Sequence, residues 1–238
     1  MTHSLMTTIT HPSLPLAHRV RAAQNGSTTD LPCLILLHGV GGNETNLIDF
    51  AQQQDPRLTV ILARGPIAVG PNMHGWFNVN FTPSGPVINP AQAQQSCQTL
   101  IDFIDALPAA YGIDAHRIWI AGFSQGGIIS ASVGLTRPDK VAGFGILSGR
   151  ILPEIAPLIA TSEALATLQA FVSHGVQDSK LSIEFARSAQ RLLTERKVAL
   201  SYREYAADHE LNSAMQHDFN HWIAQQLDVA RSAEREPE

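Results

Sequence analysis

Ile118-Trp119-Ile120-Ala121-Gly122-Phe123-Ser124-Gln125-Gly126-Gly127 is the stretch from which the rest of this chain can be read. Its apolar start reads as a buried strand. Ile128–Val133 reads as the first turns of a packed helix. A Gly-x-Ser-x-Gly turn between a strand and a helix is the nucleophile-elbow pattern. Such a turn is so sharp that neighbouring side chains must nearly vanish, which accounts for Gly122 and Gly126. The Ser124 hydroxyl is then presented at the edge of the sheet, above a helix N-terminus that favours developing negative charge. The plainer reading is a tight strand–helix turn with an exposed serine. The strand before, the helix after and the partners identified below weigh against it.

Outward from this stretch, strands alternate with helices. Cys33–Leu37 is wholly apolar, the pattern of a strand covered on both faces. It runs into the glycine-rich His38-Gly39-Val40-Gly41-Gly42. Leu16–Ala23, Leu58–Ala63, Arg117–Ala121, Val141–Leu147, Ala170–Ser173 and Ala199–Tyr205 are further expected strands. Helices are expected near Thr45–Gln53, from Pro90 to Leu107, from the elbow to Leu135, over Leu181–Arg196 and over Asn212–Leu227. Arg64–Pro90 is rich in Gly, Pro and Asn and reads as a long structureless loop, which in a compact domain is usually functional. Leu152–Gln169, broken by Pro153 and Pro157, reads as short helices of an insert or flap. The alternation implies an α/β fold with a mostly parallel central sheet and helices on both faces. The expected organisation is a flexible lead-in over 1–15, one domain over 16–229 and a charged tail over 230–238.

Bulk composition narrows the function classes. A chain of 238 residues, 44% hydrophobic and 16% charged, fits one soluble domain with a large core. A net charge of −5 argues against a nucleic-acid partner, which calls for a basic face. No apolar run approaches the roughly 18 residues of a membrane-spanning helix. The Thr/Ser/Pro-rich start lacks the basic and apolar blocks of a signal peptide, so a cytoplasmic location is expected. Cys33 and Cys97 read as buried free thiols rather than a disulfide or metal pair. No metal or cofactor is expected.

Ligands of open α/β sheets gather at the carboxyl ends of the strands. Four expected strand ends carry unusual residues: the His38-Gly39 loop, Ser124, Asp178 and His209. The order Ser, Asp, His is that of α/β-hydrolases. A neutral serine hydroxyl attacks poorly and needs a base within hydrogen-bond reach. His209 is the expected base, and Asp178 the carboxylate that orients it. His174, His217 and His221 compete with His209, but the last two fall inside an expected helix and His174 precedes the acid on its own loop. Asp208 and Glu204 compete with Asp178; Asp208 adjoins the base in sequence, where two side chains seldom face each other well. The N–H groups of Gln125 and Val40 are the expected donors to an oxyanion.

Taken together, Leu37-His38-Gly39-Val40-Gly41-Gly42-Asn43-Glu44, Arg64-Gly65-Pro66, Trp76-Phe77, Gly122-Phe123-Ser124-Gln125-Gly126-Gly127, His174-Gly175-Val176-Gln177-Asp178 and His209-Glu210-Leu211 resemble the phospholipase/carboxylesterase family. The likeness covers about residues 30–227 and keeps the motif order. It implies an α/β-hydrolase fold and a catalytic triad of Ser124, Asp178 and His209, with Val40 and Gln125 as the oxyanion hole. It also implies that Trp76 and Phe77 wall the acyl pocket, with Met73 and His74 near its entrance; core anchorage of the loop is the alternative. Two departures stand out: Asp208 replaces the family's usual glycine before the base, and Asn78 stands where relatives often carry Asp. The expected activity is hydrolysis of carboxylic esters with short to medium acyl or small aromatic groups. Acyl-protein or lysophospholipid deacylation is the neighbouring alternative, and a non-catalytic binding protein on this fold the remote one. The expected partner is a small-molecule ester or thioester, and apolar loop surface at the entrance offers a face on which two subunits could pair as a homodimer.

Overall fold

The computed structural model describes residues 8–11, 13–82 and 85–233. In chain order the elements are β1 (Thr8–Ile9), β2 (His18–Arg21), β3 (Leu31–Leu37), α1 (Ile48–Gln52) and β4 (Thr59–Ala63). Two hairpins follow, β5 (Ile67–Gly70) with β6 (Met73–Gly75) and β7 (Val79–Thr82) with β8 (Gly85–Ile88). The chain continues as α2 (Pro90–Tyr111), β9 (Ile113–Phe123), α3 (Gln125–Thr136), β10 (Gly143–Leu147), β11 (Gln169–Gly175), α4 (Ile183–Glu195), β12 (Ala199–Tyr205) and α5 (Ser213–Ala233). The main sheet has the order β1-β2-β4-β3-β9-β10-β11-β12. From β4 to β12 all pairings are parallel, while β1 and β2 join antiparallel at one edge.

Strand alternation sorts the core into two layers. Cys33, Ile35 and Leu37 of β3 and Ile118 and Ile120 of β9 pack with residues of α2, α3 and α4. Leu34, Leu36, Trp119 and Ala121, pointing the other way, pack with α1 and α5. On that second face Phe50, Phe171, Phe219 and Trp222 form a chain of ring contacts at 5.4–5.6 Å between centroids. Pro32 is tolerated inside β3 because the register shifts at that point, between Leu31 and Cys33, so no ladder bond is asked of a residue without an N–H.

Some elements differ from the sequence-based expectation. Arg64–Pro90 is not structureless: two hairpins occupy it, the first turning through Pro71-Asn72 with Asn72 at φ 55°. Their strands are only three or four residues long, too short for a periodic signal. Helix α2 runs past Leu107 and carries Pro108 inside it, ending only at the left-handed Gly112 (φ 64°). Within the lead-in expected over 1–15, Thr8–Ile9 pairs with β2; residues 1–7 and 12 of that segment lie outside the described residues. Helix α5 continues into the expected tail, whose residues 234–238 are likewise outside. The Leu152–Gln169 segment contains a 3₁₀ helix at Pro153–Leu158, in line with its two prolines. Cys33 and Cys97 are free thiols, and burial pushes both up, Cys97 to about 12.

Among the described residues three imidazoles are buried in hydrogen-bonded positions: His18, His38 and His174. His18 lies between the Leu16 carbonyl and the Tyr111 hydroxyl, at 2.8 and 2.6 Å. Burial lowers all three below the ordinary histidine value, His38 to about 4. A folded-state value below the unfolded one means that the unfolded chain binds more protons as pH falls. Stability should therefore be complete above about pH 6.5 and fall progressively toward about pH 4, by about 3 kcal/mol for His38 alone. Urea midpoints measured from pH 7.5 to 4.5 check this; a midpoint that stays level or rises on acidification contradicts it.

Candidate active site

The strand-to-helix turn between β9 and α3 sets the geometry. Ser124 adopts φ 54°, ψ −115°, a conformation that a side chain seldom takes and that costs about 1–3 kcal/mol. Two glycines make the turn feasible. A Cβ on Gly122 would run into the backbone of Gly126, and one on Gly126 would overlap the carbonyl of Leu37 at the end of β3. The elbow is thereby pressed onto the neighbouring strand, and the hydroxyl of Ser124 projects beyond the sheet. The Ser124 N–H is itself tied to the Leu147 carbonyl at 2.8 Å.

The loops after β11 and β12 bring the two other polar side chains to the same rim. His209 Nε2 lies 2.9 Å from Ser124 Oγ, and His209 Nδ1 lies 2.7 Å from Asp178 Oδ2. A carboxylate acceptor assigns the proton of the imidazole to Nδ1, leaving Nε2 free to accept from the serine. Asp178 is held from its other oxygen, where Oδ1 accepts the N–H groups of Lys180 and Leu181 at 2.9 and 2.7 Å. The His209 ring also leans on Phe123, with centroids 5.0 Å apart.

Asp208 does not compete for the imidazole. Its Oδ1 accepts the backbone N–H groups of Ser179 and His209, each at 2.7 Å, which pins the loop of Asp178 to the loop of His209. The Ser179 bond, foremost, holds its carboxyl below the usual range. His174, fully buried, donates from Nε2 to the Leu181 carbonyl at 2.7 Å and stands 3.2 Å from Asp178 Oδ2. His217 and His221 are on α5 and are not among the residues that line the cavity beside Ser124.

A cavity of about 470 Å³ opens beside Ser124. Gly39, Val40, Phe123, Gln125, Ile128 and His209 surround the hydroxyl, Phe77, Val79, Thr82, Gly85, Pro86 and Ile88 form one wall, and Arg150, Ser179, Lys180 and Leu181 complete the lining. The Gln125 N–H opens α3, where no preceding carbonyl of the helix can reach it. Neither that N–H nor that of Val40 has an acceptor among the described residues. The Val40 loop is braced from below. Gly41 N–H donates to the His74 carbonyl at 2.8 Å and His74 N–H to the Gly42 carbonyl at 2.7 Å. Glu44, buried, makes a two-pronged pair with Arg64 at 2.6 Å. His38 accepts the Gly65 N–H at 2.9 Å.

Of the residues expected at the acyl pocket, Phe77 lines the cavity and Trp76, Met73 and His74 do not. Trp76 is wholly buried behind it, with its indole N–H on the His38 carbonyl at 3.0 Å. Met73 is exposed at the tip of the first hairpin, and His74 serves the Val40 loop through its backbone. Three features escaped the sequence reading. The Gln125 side chain, buried, accepts the Trp76 N–H at 2.6 Å and donates to the Phe77 carbonyl at 2.7 Å, clamping that segment to the elbow. Short strand β7–β8 supplies the cavity wall. Arg150 lies in the lining; its signal was a charged residue directly after Ser148-Gly149, at the carboxyl end of an apolar strand. Among the described residues no cluster of three or more His, Cys, Asp or Glu could hold a metal, and no helix is long and apolar enough to cross a membrane.

Residues 18–227 match the family model described as phospholipase/carboxylesterase. Acyl-protein thioesterase 1 of Mycosarcoma maydis is 29% identical over 175 residues, which span 65% of this chain and 72% of that protein. Carboxylesterase SOBER1 of Arabidopsis thaliana is 24% identical over 207 residues, 82% of this chain and 90% of that one. The crystal structure of a carboxylesterase from Mesorhizobium loti superposes with a TM-score of 0.78 at 22% identity, covering 92% of this chain and 98% of the other. The Bacillus cereus carboxylesterase gives 0.77 at 22% identity, covering 88% and 94%. The architecture is the α/β-hydrolase fold.

The Gln125 clamp has a measurable consequence. Gln125→Ala strands a buried N–H and a buried carbonyl, and should cost about 2–4 kcal/mol of unfolding free energy. Chemical denaturation of the variant reads this directly; a loss under about 0.5 kcal/mol would show that water replaces the amide without penalty.

Proposed function

The chain belongs to the phospholipase/carboxylesterase family of serine hydrolases, and we propose that it is a carboxylesterase working through an acyl-Ser124 intermediate. The observation that carries this reading is the unbroken relay from Ser124 Oγ to His209 Nε2 at 2.9 Å and from His209 Nδ1 to Asp178 Oδ2 at 2.7 Å. In the first half-reaction His209 takes the serine proton as Oγ bonds to the ester carbonyl carbon. The carbonyl oxygen becomes an oxyanion between the N–H groups of Val40 and Gln125, each contributing about 3–4 kcal/mol at the transition state. Collapse expels the alcohol, which receives the proton from His209. Water repeats the sequence on the acyl-enzyme, and the acid leaves. Asp178 keeps the imidazole in the required tautomer and stabilises its cationic form, without itself taking the proton.

Short to medium acyl or small aromatic groups are the substrates that the cavity favours. Its volume of about 470 Å³ sits in the lower half of the usual ligand-site range of about 300–1,000 Å³, and Phe77, Val79, Ile88, Phe123, Ile128 and Leu181 make it mainly apolar. Deacylation of thioesters is the second reading, favoured by the likeness to acyl-protein thioesterase 1. It uses the same acyl-enzyme, since only the leaving group differs.

A fluorophosphonate probe should label Ser124 once and stop hydrolysis of p-nitrophenyl esters. Ser124→Ala should lower kcat by at least about 10⁴-fold, as should Asp178→Asn through the wrong tautomer. Asp208→Asn should cost far less, because an amide oxygen can still accept from Ser179 and His209. Equal losses at positions 178 and 208 would mean that the orienting carboxylate has been misassigned.

A further inference from the structure

The lining of the cavity beside Ser124 holds two cations, Arg150 and Lys180, and among the described residues no carboxylate. This is unexpected in a chain whose formal net charge is −5. The two are placed differently. Lys180 is exposed at the mouth, where water can solvate an ammonium group. Arg150 is only 8% exposed.

Its position is built by the fold rather than by chance of the surface. After β10, Ser148 turns the chain in the left-handed region (φ 52°), and its hydroxyl donates to the Glu210 carbonyl at 3.2 Å. Gly149 then passes so close to the elbow that a Cβ there would sit 2.9 Å from the Ser124 carbonyl. Arg150 follows, with its guanidinium carbon 5.0 Å from the centre of the Phe185 ring. Its Nε is buried and has no partner, and among the described residues its guanidinium makes no hydrogen bond. Glu154, exposed on the 3₁₀ helix, acts on it only through space. A guanidinium remains charged at any working pH, so burial cannot relieve it by deprotonation. The terminal nitrogens, unlike Nε, are accessible from the cavity, and an incoming carboxylate would supply this half-buried cation with both a counter-charge and a matching two-pronged geometry.

Resting on the esterase reading above, we propose that Arg150 is a specificity-determining residue and that the preferred substrate is an ester carrying its own carboxylate, a half-ester of a dicarboxylic acid. The free carboxylate pairs with Arg150 while the ester carbonyl lies against Ser124. Lys180 at the mouth attracts the same charge on approach. The chemistry at Ser124 is unaltered, since the paired carboxylate takes no part in bond making or breaking.

The test compares the monoethyl esters of succinic, glutaric and adipic acids with their neutral primary-amide isosteres, followed by pH-stat titration at pH 7.5. The wild-type protein should favour at least one half-ester over its amide by about tenfold or more in kcat/KM. Arg150→Gln should bring that ratio close to one, and Arg150→Lys should recover part of it. Wild-type preference for the amide at every length, or a preference that survives Arg150→Gln, overturns the proposal. Should Arg150→Gln fail to fold, the wild-type protein decides alone: the matching dicarboxylate must inhibit hydrolysis of a neutral ester more strongly than the matching diamide, and equal inhibition overturns the proposal. Absence of turnover on every ester, with no fluorophosphonate labelling, would instead sink the esterase reading.

Discussion

Everything at the site depends on how closely α3 can approach the end of β3. Gly126 lies against the Leu37 carbonyl with no room for a methyl group, and Gly122 against Gly126 in the same way. That contact holds Ser124 at φ 54°, in a conformation that would relax if the surroundings allowed it. The surroundings do not, because α3 is buried along nearly its whole length and both strands beside it are core. The strain is stored where the Ser124 hydroxyl stands clear of the sheet. The same approach sets the start of the Val40 loop directly beside the N-terminus of α3, so that the Ser124 hydroxyl and the N–H groups of Val40 and Gln125 share one origin.

A second tier of polar bonds ties the surrounding loops to this point. Gln125 supplies a backbone N–H to the cavity and uses its side chain to hold the Trp76–Phe77 segment. Glu44 and Arg64 join the Val40 loop to the segment after β4. Asp208 joins the loops of Asp178 and His209. Each of these replaces a bond to water with one between segments distant in sequence, and each is shielded enough to matter energetically except that of Asp208, which faces solvent. Asp208 thus substitutes a side-chain acceptor for the freedom that a glycine would have at that place.

Much of this was legible from the amino-acid order. Wholly apolar runs such as Cys33–Leu37 marked strands covered on both faces, and the residues directly following strands pointed to Ser124, Asp178 and His209. Legibility failed where the signal is not periodic. The hairpins inside Arg64–Pro90 have strands of three or four residues and are dense in turn formers, so they looked like loop. Trp76 and Phe77 are adjacent and similar in kind, and only packing could separate the buried anchor from the residue that faces the cavity. The helix expected to end at Leu107 continues through Pro108 to Gly112, because a proline in the last turn of α2 forfeits little. Arg150 was passed over because one arginine has no pattern; its meaning comes from the space it occupies.

The ribbon formed by β7 and β8 stands apart from the main sheet. Among the described residues it pairs only with itself, and it is fastened at its base, where Asn78 N–H meets Gln92 Oε1 and Asn89 N–H meets the Asn78 carbonyl. A lone two-stranded ribbon has little stability of its own, so its conformation is borrowed from α2 and the floor beneath it. Among its described residues the packing against the core falls to Val79 and Ile88. The ribbon is an exchangeable cassette: the shape of one cavity wall is set by a piece of chain that contributes nothing to the Ser124–His209–Asp178 bonds.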